Sequence, residues 1–178
     1  DNTTADDNTA VGYKALRDNT TGTGNTALGR HALENNSTAN YNTAVGRNAL
    51  LTNTTGANNV AIGSGAMDSN STGSNNIAIG YNCLDANTTA SNNTAIGYDA
   101  LGANTTGAAN VALGKETLKS NTTANHNTGL GHQALEATTT GSFNNAVGSN
   151  ALAANTTGAY NDAHGYAVLN LNTTGNYN

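Results

Sequence analysis

The side chains best able to do chemistry in this sequence are four histidines, a set of tyrosines and a long series of Asn-x-Ser/Thr triplets. His31, His126, His132 and His164 offer imidazoles, which serve as general bases or metal ligands. Asn19, Asn36, Asn53, Asn70, Asn87, Asn104, Asn121, Asn155 and Asn172 each begin a triplet that a glycosylating cell can modify, and Asn2, Asn35 and Asn92 begin three more. Tyr13, Tyr81, Tyr98 and Tyr166 carry ring faces of the kind that stack on sugars. Which chemistry these residues do depends on their placement, and the placement is periodic: most of the asparagines stand 17 residues apart, as do Tyr81 and Tyr98.

That interval is the period of the whole chain. A unit beginning Asn-Thr-Ala-Val-Gly-Tyr at Asn8 returns at Asn25, Asn42, Asn59, Asn76, Asn93, Asn110, Asn127, Asn144 and Asn161, without insertion or deletion. Ten units fill residues 8–177, residues 1–7 match the end of a unit and Asn178 matches the start of another, so 1–178 reads as a single repeat domain and a window of a longer fibre. With the leading Asn as position 1, the ten copies show what each position tolerates. Position 5 is always Gly and position 14 always Thr; position 3 is Ala except at Gly129, position 4 aliphatic except at His164, position 9 Leu except at Met67. Position 8 is Ala apart from Cys83, Thr117 and Val168, while nearly all charge falls at positions 6, 7, 10 and 11, which are expected to face water.

Seventeen residues laced with Gly, Asn and Thr, without a sustained 3.6-residue apolar period, cannot nucleate or bury a helix. Thr-Ala-Val-Gly alternates its side chains as a short strand does, and Asn-Thr-Thr-Gly offers a second extended run or a turn with left-handed backbone at Asn or Gly. The expected fold is therefore all-β: a parallel β-solenoid, or β-roll, of ten 17-residue coils, forming a rod of roughly 50 Å at ~4.8 Å per coil. Asn at positions 1 and 12 and Thr at position 14 are expected to stack as hydrogen-bonded ladders. Only 36% of residues are hydrophobic and 4% aromatic, so stability has to accumulate coil by coil rather than from one large core.

The same placement weighs against most chemistries. The histidines occupy four different repeat positions, no nucleophile, base and orienting group converge, and neither a catalytic residue nor a cofactor site is expected. No Asp recurs in every coil, which excludes the calcium-binding nonapeptide roll. A net charge of −5 without a basic stripe argues against nucleic-acid partners, and no apolar run is long enough for membrane insertion. Cys83 is alone and stands at an Ala position, as a small buried side chain would.

Self-association is a different matter. Alternation sets position 4 opposite the Ala at position 3. If Ala lines the inside, the aliphatic column points outward and needs covering, most simply by sister chains around a common axis as a homotrimer. If position 4 points inward, it completes a monomer core with the Leu at position 9. In a trimer, His164 beside Asp162 would bring three imidazoles near the axis, where they could hold a metal. Tyr13, Tyr81, Tyr98 and Tyr166 at position 6, with Tyr41, Phe143, Tyr160 and Tyr177 at position 17, are the candidates for surface recognition.

The unit Asn-Thr-Ala-Val/Ile-Gly-Tyr-x-Ala-Leu-x-x-Asn-Thr-Thr-Gly, complete at residues 8–22 and 93–107, resembles repeats of bacteriophage tail-fibre proteins and related bacterial surface proteins. Val-Ala-Ile-Gly at 60–63 and Ile-Ala-Ile-Gly at 77–80 are similar to the β-roll head of trimeric autotransporter adhesins. The resemblance implies a trimeric left-handed roll on a virion or cell surface and a role in attachment to a glycan or receptor; the adhesin heads have shorter coils than this chain. The expectation is a non-enzymatic shaft or spacer of an extracellular fibre. The alternative is a monomeric or N-glycosylated surface solenoid with an ice- or glycan-binding face, in which alternation allows only one Thr per coil on that face.

Overall fold

The computed structural model describes residues 4–178. Each repeat spends positions 2 to 4 on a three-residue strand: β1 Thr9–Val11, β2 Thr26–Leu28, β3 Thr43–Val45, β4 Val60–Ile62, β5 Ile77–Ile79, β6 Thr94–Ile96, β7 Val111–Leu113, β8 Thr128–Leu130, β9 Asn145–Val147 and β10 Asp162–His164. All ten pair in parallel and in chain order. Register sets like on like, with Thr9 against Thr26, Ala10 against Ala27 and Val11 against Leu28, and so on up the stack. The described residues thus form an all-β parallel β-solenoid, one 17-residue coil per turn, with no helix.

The pleat decides which residues build the core. Position 3 is fully buried from Ala27 to Ala163, so positions 2 and 4 face outward, and the arrangement with position 4 inside is excluded. The interior is a thin file of Ala at positions 3 and 8 and Leu at position 9, from Leu16 through Leu33, Leu50 and Met67 to Leu152. One core exchange is coupled. Thr117 fills an Ala position in coil seven, and its Cγ2 would stand 2.5 Å from a Cβ on Gly129, which replaces Ala in the coil above. The larger side chain has taken the room that the missing methyl leaves, and its Oγ1 donates to the Gly131 carbonyl at 2.5 Å.

The corners differ from expectation. Left-handed backbone occurs at positions 7, 9 and 17 and, with a wider positive φ, at the position-5 Gly; neither the position-12 Asn nor the position-15 Gly adopts it. Leucine is an unlooked-for host, yet Leu33, Leu50, Leu84 and Leu101 all have φ near +50° (49°, 51°, 55° and 52°). Such a conformation costs about 1–2 kcal/mol, which the roughly 1.5–3 kcal/mol from burying the leucine offsets. The Asn-Thr-Thr-Gly segment also forms no second strand. There, the position-13 carbonyl accepts from two successive amides of the coil below, as Ser71 does from Thr54 and Thr55.

Two asparagine columns hold the coils together. At position 12, Asn36 Nδ2 donates to Asn19 Oδ1 at 2.8 Å, Asn53 to Asn36 at 3.0 Å and Asn70 to Asn53 at 2.9 Å, and each also donates to the position-15 carbonyl of its own coil. At position 1, the backbone N–H of Asn42 donates to Asn25 Oδ1 at 2.9 Å, while Asn42 Nδ2 reaches the position-15 carbonyl of Gly56 from the other side. That carbonyl therefore accepts from both columns. The threonine ladder forms too, but at position 13 rather than 14: Thr54 Oγ1 donates to the Ser71 carbonyl at 3.0 Å, and Thr105 Oγ1 does the same to Thr122. The position-14 threonines are exposed instead.

The position-12 column has one gap. Coil eight carries Thr138, whose buried Oγ1 has no partner, and Asn121 Oδ1 below it is also left unpaired. Asn155 Nδ2 above keeps only its bond to the Gly158 carbonyl.

Candidate functional site

The asparagines that suggested glycosylation are the buried position-12 column. Asn19, Asn36, Asn53, Asn70, Asn87, Asn104, Asn121 and Asn155 have no exposed surface, and Asn172 is half-buried. A glycosyl transfer needs a free Nδ2, and here that atom is committed within the rod, as Asn87 Nδ2 is to Asn70 Oδ1 and to the Ala90 carbonyl. A sugar row on this column is thus incompatible with the folded rod. Asn35 is half-buried and Asn92 exposed, both outside the column, and Asn2 lies outside the described residues.

The tyrosines are at the surface, but the structure alters what they can recognise. Tyr81 and Tyr98 stack on each other with centroids 5.6 Å apart and planes 12° apart, and Lys115 lies over Tyr98 at 5.8 Å. Tyr13 meets the His31 ring edge-on at 5.4 Å and has Lys14 at 5.4 Å from its centroid. Sugars bind aromatic faces, and three of the four rings already have a ring or a cation against them; Tyr166, 79% exposed, stands in no ring pair among the described residues. A stack that single residues do not reveal runs along position 17. His126, Phe143, Tyr160 and Tyr177 follow one another at 4.9, 5.0 and 5.1 Å, with the two upper pairs within 3° of parallel. Its signal was present in the sequence as aromatic or imidazole rings 17 residues apart in four consecutive coils.

The four histidines stay apart. His31 pairs with Glu34, His126 belongs to the stack, His132 is exposed and His164 pairs with Asp162. Among the described residues no three His, Cys, Asp or Glu converge as a metal site. Glu34 corrects the expectation that every charged position faces water. It is buried, with Lys14 at 3.8 Å and Arg17 and His31 closer still. Burial pushes the Cys83 thiol up to about 12, so it stays protonated inside the core.

A shallow hollow of about 400 Å³ lies over coils five to seven, lined by Asp85, Ala86, Asp99, Gly102, Lys119 and Ser120. Lys119 bonds Asp99 at 2.9 Å, while partial burial and the neighbouring Asp99 and Asp68 carboxylates raise Asp85 from the ordinary 3.8 to about 6. A raised folded value means the folded rod holds a proton that the unfolded chain releases, so stability falls as pH rises between about 4 and 6. Asp85→Asn is expected to flatten that slope and to stabilise the rod at neutral pH by roughly 1 kcal/mol, the shift being discounted for partial exposure. Thermal melts at pH 4 and pH 7 test this, and equal slopes in both proteins would refute it.

The outer face of the sheet carries the apolar side chains that the core leaves out. Position 4 presents an aliphatic column from Val11 to Val147, with Val11, Leu28 and Leu130 at 56, 46 and 45% exposed. Val60, Ile77 and Val111 widen it at position 2. No charged residue interrupts either column until coil ten, where Asp162 and His164 close the stripe. Compared with models of protein families, with curated proteins and with solved structures, the chain matches none.

Proposed function

We propose that this chain is a structural shaft: a non-enzymatic rod that joins two sister chains through its outer sheet face and spaces an attachment function along an extracellular or virion fibre. The observation that carries this reading is the outward Val/Leu/Ile column, continuous over nine coils. Exposed apolar surface of that regularity calls for a cover, and a second stack with the same coil rise meets it residue for residue along its length. The polar side chains support a structural role in another way, since the recurrent asparagines are spent on holding coil to coil rather than gathered into a pocket. The resemblance to phage tail-fibre repeats and autotransporter heads adds the trimer, the surface location and attachment to a receptor.

Native mass spectrometry or sedimentation of the purified chain tests the association. A species of three chain masses is expected, and Ile62→Lys with Ile96→Lys should leave the circular dichroism intact while producing monomer. A wild-type chain that is monomeric at tens of micromolar would overturn the reading.

A further inference from the structure

We infer that Asn145, Asp162 and His164 fix the register and the parallel sense in which the chains associate; this rests on the self-association proposed above. An apolar column repeated every coil leaves two copies free to slide. A shift of one coil merely exchanges Val, Leu and Ile at position 4, from Val11 to Val147, and costs little. Something that does not repeat must therefore stand on the same face.

The only ionisable side chains on the position-2 and position-4 columns are Asp162 and His164, both in the last coil. They form a polar cluster within the chain. Asp162 Oδ1 accepts from His164 Nε2 at 2.9 Å and from Asn145 Nδ2 at 2.9 Å. Asn145 Nδ2 lies 3.0 Å from His164 Nε2, as expected for two donors converging on one oxygen. Asp162 Oδ2 and His164 Nδ1 make no bond among the described residues, so they are open to a neighbouring chain.

When coil ten meets coil ten, the polar cluster of one chain packs against that of the next, and Asp162 of one can pair with His164 of the other. When the chains slip, Asp162 and His164 press against Val147 and the aliphatic column below it; when they run antiparallel, they press against Thr9 and Val11. Either arrangement strips water from charged groups without giving them partners, which is strongly disfavoured. A single buried polar residue fixes register in coiled coils by the same means.

Disulfide capture on the full chain tests this. Cys83 is buried and does not compete. Thr9→Cys places a thiol at the opposite end of the same face, and Thr43→Cys places one two coils further along. When the two variants are refolded together, chains carrying Thr9→Cys should link to one another, as should chains carrying Thr43→Cys, up to the two in three that a trimer can pair, with almost no disulfide between the two kinds. Adding Asp162→Thr and His164→Val, which restore the common repeat, should lower the yield of like-with-like linkage several-fold and raise the mixed disulfide, with the associated mass unchanged. Associated chains whose cross-linking pattern ignores this double change, or in which the Thr9→Cys chains never link to one another, refute the register lock alone. Chains that stay monomeric overturn the association and the lock with it.

Discussion

Gly97→Ala is expected to cost about 3–5 kcal/mol and to lower the melting temperature accordingly. Two effects combine. The φ of Gly97 is +138°, where an L side chain is strained by about 1–3 kcal/mol. Its new Cβ would also lie 2.6 Å from the carbonyl carbon of Gly114 and closer still to the oxygen, in the backbone of the next coil, where overpacking adds a further ~1–3 kcal/mol. Because that neighbour is main chain, no rotamer change relieves the contact. Gly107→Ala is the matched control. A Cβ there would also crowd the next coil, at Ala124 O and at 2.8 Å from Asn121 Nδ2. Yet the corresponding residues Ala39, Ala90 and Ala124 are alanines buried in the same site, and φ is not left-handed. Below about 1 kcal/mol is expected for Gly107→Ala, in the range of substitutions whose backbone is compatible. Comparable losses for the two glycines, read by denaturant unfolding, would refute the special cost of the position-5 backbone.

The gap at Thr138 makes the second large prediction, and it runs in both directions. Thr138→Asn would give Asn121 Oδ1 the donor it lacks, offer Asn155 Nδ2 an acceptor and replace an unpartnered hydroxyl. An unsatisfied buried polar atom costs about 1–3 kcal/mol, so the variant should be more stable by roughly 2 kcal/mol. Asn87→Thr copies the natural gap into an intact stretch. It removes the bonds that Asn87 Nδ2 makes to Asn70 Oδ1 at 2.8 Å and that Asn104 Nδ2 makes to Asn87 Oδ1 at 3.1 Å, and should cost about 2–4 kcal/mol. Thermal unfolding followed by circular dichroism measures both. A Thr138→Asn protein no more stable than its parent would mean that the gap is already satisfied, as by an internal water.

These two cases also show how far the sequence could be read. The period and the Asn columns were legible because each of ten copies obeys the same packing constraint, and stacking like on like turns recurrence directly into contact, whereas the choice of Ala or the position-4 aliphatic for the inside needed the fold. The special nature of Gly97 was legible for the same reason, since position 5 admits nothing else. What was hidden depends on backbone torsion and on neighbouring coils. Leu101 gives no local sign that it adopts φ +52°, because its burial, and not its propensity, decides the matter. Asn19 and its equivalents read as sugar acceptors as well as members of a buried ladder, and only the coil path separates the two. Gly129 and Thr117 each looked like a lone exception until their contact joined them.

The asparagine ladders have a direction. In the position-12 column each linked Nδ2 reaches back to the Oδ1 of the preceding coil, as Asn36 does to Asn19 and Asn53 to Asn36. The side-chain amides of that column are therefore aligned head to tail along the rod, each with a dipole comparable to the ~3.5 D of a peptide group. That column is an electret, positive toward the first coil and negative toward the last, and the missing link at Thr138 divides it into separate segments.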